Sequence, residues 1–296
     1  MNTTSHHTTL PSHFKTAHFW FDIVVLCMIW VAALWVDAGL RLMDFISVAL
    51  ILKLVGLIGL LEVVGFFVLH SLGVKRGLLA QGLIGGFISS TAVFVRLTAK
   101  PMREAISSRR LARALLLAVL SMLFECLIIL YTFVPQQILT YGWPIGLTML
   151  VIGLTVWLLP NNPQESTQSS ILEKSFEHPV VWLRVMRFSL VIVVLMWLIR
   201  FLNDSLHLPI LWSTFLLASF EAHAVLAATL LNLSESQVNT GQLGLWLVIM
   251  VSLGNTVSKS ILVLRTGNRA LYLYVISPLM ASVAASVLIA WLMASY

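Results

Sequence analysis

The chain has 296 residues, 59% of them apolar and only 10% charged, where soluble domains run about 45–50% apolar and about 25% charged; an ordinary soluble fold is excluded. Its 18 Lys and Arg outnumber 12 Asp and Glu for a net +6, but these bases sit mostly in short loops between apolar runs. The excess therefore orients the chain in a bilayer, and nucleic acid is not an expected partner.

Residues 1–18 form a polar tail with His6, His7, His13 and His18 but a single Lys, which is not the basic start of a signal peptide. Those histidines form no metal-ligand spacing and no Cys accompanies them, so they read as a solvated tail. Crossing about 30 Å of hydrocarbon takes about 20 apolar residues. On that measure the sequence predicts an all-α, polytopic integral membrane helical bundle of about nine crossings, between eight and ten. The predicted runs are Phe19–Val36, Leu50–His70, Leu78–Leu97, Ala112–Phe133, Trp143–Leu159, Val185–Leu202, Pro209–Leu233, Leu243–Leu264 and Ala270–Ala294. The first reads as a retained helix, and Cys27 and Cys126 lie within runs as small hydrophobes. Residues 19–160 make a first membrane half, 161–184 a serine-rich polar linker, and 185–296 a second half.

Arg96, Lys100, Arg103, Arg109, Arg110 and Arg113 concentrate around the loop 98–111, which is therefore expected on the cytoplasmic side. Nine crossings put Arg41, Lys174, Arg184 and Arg187 on that side too. They put Lys15, Lys75, Arg76, Arg200, Arg265 and Arg269 opposite, with the N-terminus outside.

An internal repeat is expected. A shift of 132 residues lays Ile88-Ser89-Ser90-Thr91-Ala92-Val93 over Phe220-Glu221-Ala222-His223-Ala224-Val225, as transporter repeats are often placed. With nine crossings the two halves share one orientation, and a miscounted crossing reverses that.

Lipid cannot solvate ions, so ionisable groups inside spans face a partner, a cavity or the interface. Glu62, Glu125, Glu221, His223, Asn255 and Lys259 fall in such places. Asn255 and Lys259, four apart, share a helical face. Glu221 and His223, two apart, share a site only where the backbone is unwound. Lys259 pairing with a Glu as a purely structural ion pair weighs as heavily as a functional role. The run Gly82 to Thr91 joins three glycines to three hydroxyls. Glycines permit close helix packing, Gly82 and Gly86 having the small-xxx-small spacing, or a break. Ser89, Ser90 and Thr91 suit coordination of something small and polar. There is no nucleophile with a matching base, no HExxH and no phosphate loop, so no enzyme and no cofactor is expected.

The segments Leu72-Gly73-Val74-Lys75-Arg76-Gly77-Leu78 and Gly82-Leu83-Ile84-Gly85-Gly86-Phe87-Ile88-Ser89-Ser90-Thr91-Ala92 carry a resemblance. So do Glu221-Ala222-His223-Ala224 and Gly254-Asn255-Thr256-Val257-Ser258-Lys259. Over roughly residues 48–294 the chain resembles the uncharacterised polytopic membrane domain that commonly follows an MgtC/SapB domain in bacterial and archaeal membrane proteins. The MgtC/SapB part itself is not seen, one helix preceding the shared region. The resemblance implies a bacterial inner-membrane location and ion or magnesium homeostasis. Acidic residues are usual in that family where this chain has Glu221 and His223; an imidazole there argues against a hard cation such as Mg²⁺.

The sequence therefore points to a membrane transporter or channel for a small ion or polar solute, a metal cation among the candidates. Its substrate site between the repeats comprises Ser89, Ser90, Thr91, Glu221, His223, Asn255 and Lys259, with Glu62 and Glu125 as charge partners. The alternative is a non-transporting membrane regulator or assembly partner. The bilayer is the expected environment, and a homo-oligomer is compatible with the sequence.

Overall fold

The computed structural model describes residues 17–36, 40–42, 46–72, 77–160, 182–235 and 241–295. Helices dominate because only they satisfy every backbone polar group within one apolar segment. In order they are α1 (Ala17–Trp35), α2 (Val48–Leu72), α3 (Gly77–Leu97), α4 (Lys100–Ala105), α5 (Ser108–Phe133), α6 (Ile138–Leu158), α7 (Trp182–Leu206), α8 (Ile210–Ala218), α9 (Ala222–Glu235), α10 (Gly241–Leu264) and α11 (Arg269–Ser295). A short antiparallel pairing of β1 (Arg41–Leu42) with β2 (Ile46–Ser47) joins α1 to α2. Among the described residues five helices, α5, α6, α7, α10 and α11, are long and apolar enough to cross a membrane. The linker with Lys174 and His178, and His6, His7, His13, Lys15, Lys75 and Arg76, lie outside the described residues. So do the side chains of His18, Arg41, Glu62, His70 and Arg184.

At the centre stands α5, whose Leu111, Leu115, Leu116, Val119 and Leu130 are fully buried. Against it lies α3, packed backbone to backbone. A methyl group at Gly82 would overlap the Ala114 carbonyl, and one at Gly86 would overlap Ser121 and the Ala118 carbonyl. Gly82 with Gly86 is thus a packing stripe, as the spacing predicts.

The third predicted span does not cross as one helix. Ser89 has extended backbone, φ −169° and ψ 108°, inside α3. A methyl group built on Gly85 would lie 2.6 Å from Val93 Cγ2, although residues eight apart on one straight helix are separated by about 12 Å along its axis. The chain folds back at Ser89. Its hydroxyl accepts a hydrogen bond from Ala92 N at 3.2 Å and so caps the returning segment. Each arm is too short to traverse the hydrocarbon.

The seventh predicted span is likewise two pieces. Leu208 N bonds Leu202 O at 3.0 Å with His207 at φ 51°, a left-handed C-cap that ends α7. After Pro209, α8 runs inward until Phe215 and Ala218 meet Gly254 in the middle of α10. The backbone breaks at Ser219–Glu221, and α9 returns, its Asn232 accepting a hydrogen bond from Arg200 Nε on α7 at 3.0 Å. Both ends of the α8–α9 pair therefore lie at the C-terminal end of α7.

These two fold-backs correct the predicted orientation. Arg103 bonds the Thr266 carbonyl, and Asn268 Nδ2 donates to Ser108 Oγ at 2.8 Å, so Arg265 and Arg269 share the arginine-rich end with the loop 98–111. The seventh run adds no net crossing, which is why they are not opposite. The start of α5 thus meets the end of α10, and the two folded-back segments enter from opposite ends instead of sharing one orientation. Helices α1 and α2 are antiparallel, with Trp30 against Gly56 and Leu26 against Gly59. Trp182 Nε1, at the start of α7, donates to Asp22 Oδ1 of α1 at 2.7 Å. This places the N-terminal end of α1 at the arginine-rich end, where nine crossings had put it on the other side.

Candidate functional site at the tips of the folded-back helices

Both tips reach the middle of the bundle, between α5 and α10. At the α3 tip, Ser90 is wholly buried and its hydroxyl donates to Met122 Sδ on α5 at 3.2 Å. Thr91, one residue on, accepts a hydrogen bond from Lys259 Nζ of α10 at 2.7 Å. That ammonium also lies 5.2 Å from the centre of the Phe94 ring, a cation–π contact. Lys259 is 1% exposed.

At the other tip Glu221 precedes α9, where its carbonyl accepts the first helical hydrogen bond, from Val225 N at 3.1 Å. Because Glu221 lies in the break, its Oε1 reaches His223 Nδ1 at 3.0 Å, a pairing a regular helix would forbid. His223 is buried and Glu221 partly exposed. Glu125 on α5, also buried, and Lys259 are within electrostatic reach of His223. Asn255 and Lys259 share a face of α10 as their spacing predicts, and both are buried.

The predicted residues thus divide. Ser90, Thr91, Glu221, His223, Asn255 and Lys259 surround the two tips, with Glu125 beside them. Ser89 spends its oxygen on a helix cap. Of Glu62 the helical backbone is described and the side chain is not. Among the described residues no group of three or more His, Cys, Asp and Glu gathers closely enough to hold a metal ion. Between α5, α6, α9, α10 and α11 is a cavity of about 10 Å³ whose lining includes Cys126, Thr148, Ser252 and Asn255. That is room for one water. The arrangement can hold a proton on the Glu221–His223 pair and carries a fixed ammonium at Lys259.

Two polar ties escaped the sequence reading. Asp22 is buried against Trp182, and Asn232 bonds Arg200 and the Met196 carbonyl. Asp22 was visible as an acid inside the first run; Asn232, close to a predicted span end, resembled an interface residue.

The family described as "Domain of unknown function (DUF4010)" matches residues 57–267, well over half of the chain. No curated protein and no solved structure matches it. Nothing in the family match ties the chain to MgtC/SapB proteins. On this match the chain belongs to the DUF4010 family of domains of unknown function.

Proposed function

We propose that the protein is a membrane transporter or channel for a small ion or polar solute, with its site between two inverted repeats. The observation that carries this is the pair of broken helices, entering from opposite ends and meeting at buried charge. The shift of 132 residues that relates the halves in sequence lays Ser89 on Glu221 and Thr91 on His223. Ser89 and Glu221 are the residues at which the two backbones turn. Repeats of opposite topology with discontinuous helices meeting near the midplane are a recurrent transporter design. Intramembrane Glu, His and Lys mark substrate or proton paths by default.

One repeat would comprise α2, α3, α5 and α6, the other α7, the α8–α9 pair, α10 and α11. The arginine-rich end would be cytoplasmic, in a bacterial inner membrane. A proton-coupled solute or an anion suits this site better than a hard cation, since the carboxylate of Glu221 is engaged by an imidazole and an ammonium stands in the place of a metal.

The test is uptake into proteoliposomes across a panel of divalent metals, protons and small anions, comparing wild type with His223→Ala and Glu221→Gln. The proposal expects uptake of at least one species, abolished by both substitutions in folded protein. Uptake unchanged by both would refute the site. The alternative, a membrane regulator or assembly partner that moves nothing, is favoured by the tight core, whose cavity between α5, α6, α9, α10 and α11 holds about 10 Å³; it expects no uptake of any species.

A further inference from the structure

A second polar feature lies away from the tips, at the arginine-rich end. A cavity of about 370 Å³ opens between the start of α5, the end of α6 at Pro160 and the start of α11. Arg109, Arg110, Arg113, Ser108 and Tyr274 line it, and no carboxylate is among its described lining residues. We infer that this cavity binds a phosphate-type anion.

Guanidinium groups within the first two turns of one helix repel one another, and an anion held between them relieves that repulsion. Arg113, half-buried one turn further into α5, extends this basic wall into the cavity. Guanidinium groups turned toward one cavity are matched by an oxyanion, which accepts charge-assisted hydrogen bonds from several of them at once. The nearest acidic residue in sequence, Glu104, pairs instead with Lys100 at 3.8 Å on the exposed α4.

The walls are built before any ligand arrives. Asn268 Nδ2 donates to Ser108 Oγ at 2.8 Å, while its Oδ1 accepts from Leu271 N at 3.0 Å and caps α11. One side chain thereby ties the beginnings of α5 and α11 together. Arg109 Nε donates to the Tyr274 hydroxyl at 3.3 Å, which holds that guanidinium at the cavity wall. The cavity sits at the start of α5, beside the apolar run of that helix. A phosphodiester headgroup of the surrounding leaflet and a free phosphate both present the required oxygens.

The experiment uses the full chain in two arms. In detergent, the melting temperature is followed against inorganic phosphate at constant ionic strength. In nanodiscs of phosphatidylglycerol or of phosphatidylcholine, native mass spectrometry counts lipids retained after release. Each is repeated with Arg113→Gln, with the exposed and therefore fold-sparing Arg109→Gln, and with Lys100→Gln outside the cavity as control.

Saturable stabilisation by phosphate, weakened roughly tenfold in both cavity variants and unchanged in the control, supports the inference with a free anion. Selective retention of phosphatidylglycerol, lost in both variants while phosphate has no effect, supports it with a lipid headgroup. Neither effect in wild type, or an effect equal in wild type and both cavity variants, overturns it. None of these readouts depends on transport, so failure here leaves the tip site untouched.

Discussion

Lys259 Nζ of α10 donates to Thr91 Oγ1 of α3 at 2.7 Å, joining the two halves of the chain across 168 residues of sequence. A buried ammonium is retained at a cost, because ion pairs and charged hydrogen bonds in a dry interior seldom repay their desolvation. Removing the acceptor and removing the charge should therefore have opposite signs. Thr91→Val leaves the ammonium short of a partner and is expected to destabilise the protein by about 1–3 kcal/mol. Lys259→Met removes charge and need together, and is expected to be neutral or stabilising while abolishing uptake. Thermal unfolding in detergent, paired with uptake, checks both; a strongly destabilised Lys259→Met would show the lysine to be a structural tie.

The glycines of α3 and α6 predict a contrast. Gly82→Ala and Gly86→Ala drive a methyl group into the α5 backbone and should cost about 1–3 kcal/mol each. Gly146 and Gly153 on α6 face open space, with nothing within 4 Å of an added Cβ. Alanine there should gain about 0.5–1 kcal/mol from helix propensity. The four melting temperatures check this directly.

Trp182 is the donor that satisfies Asp22, a carboxylate only 6% exposed. Trp182→Phe keeps the aromatic packing and removes the donor, and about 1–3 kcal/mol of stability should go with it. Asp22→Asn still accepts the indole N–H and should lose less. Chemical or thermal denaturation of the two variants, with the double variant to close the cycle, measures the coupling.

Much of this was legible from residues alone. Runs of apolar residues bounded by charge identify membrane helices, and the i,i+4 spacing of Asn255 and Lys259 places them on one buried face of α10. The need for unwound backbone between Glu221 and His223 is what the structure displays. The fold-backs were not legible, because a run such as Leu78–Leu97 has the length of a crossing whether it is straight or doubled. The local cause is visible only afterwards: Ser89 offers its hydroxyl to Ala92 N, and Gly85 leaves room for Val93 on the returning arm. Counting two doubled segments as crossings then inverted the expected side of Arg41, of Arg265, of Arg269 and of the N-terminal end of α1. Glu125 was noticed as a charge within a span, but its place beside His223 depends on α5 and α9 meeting, which no local pattern encodes.

The opposed entry of the two folded-back segments is what places both tips at one site, and side-specific cysteine labelling tests it most directly. In a background carrying Cys27→Ala and Cys126→Ala, single cysteines replace the exposed Ser107, Asn203 and Arg269. A membrane-impermeant maleimide is then applied to one face of sealed vesicles. Ser107→Cys and Arg269→Cys are expected to label from the same face, and Asn203→Cys from the other. Labelling of Arg269→Cys together with Asn203→Cys, and opposite to Ser107→Cys, would mean that the seventh run crosses the bilayer and would contradict the inverted arrangement.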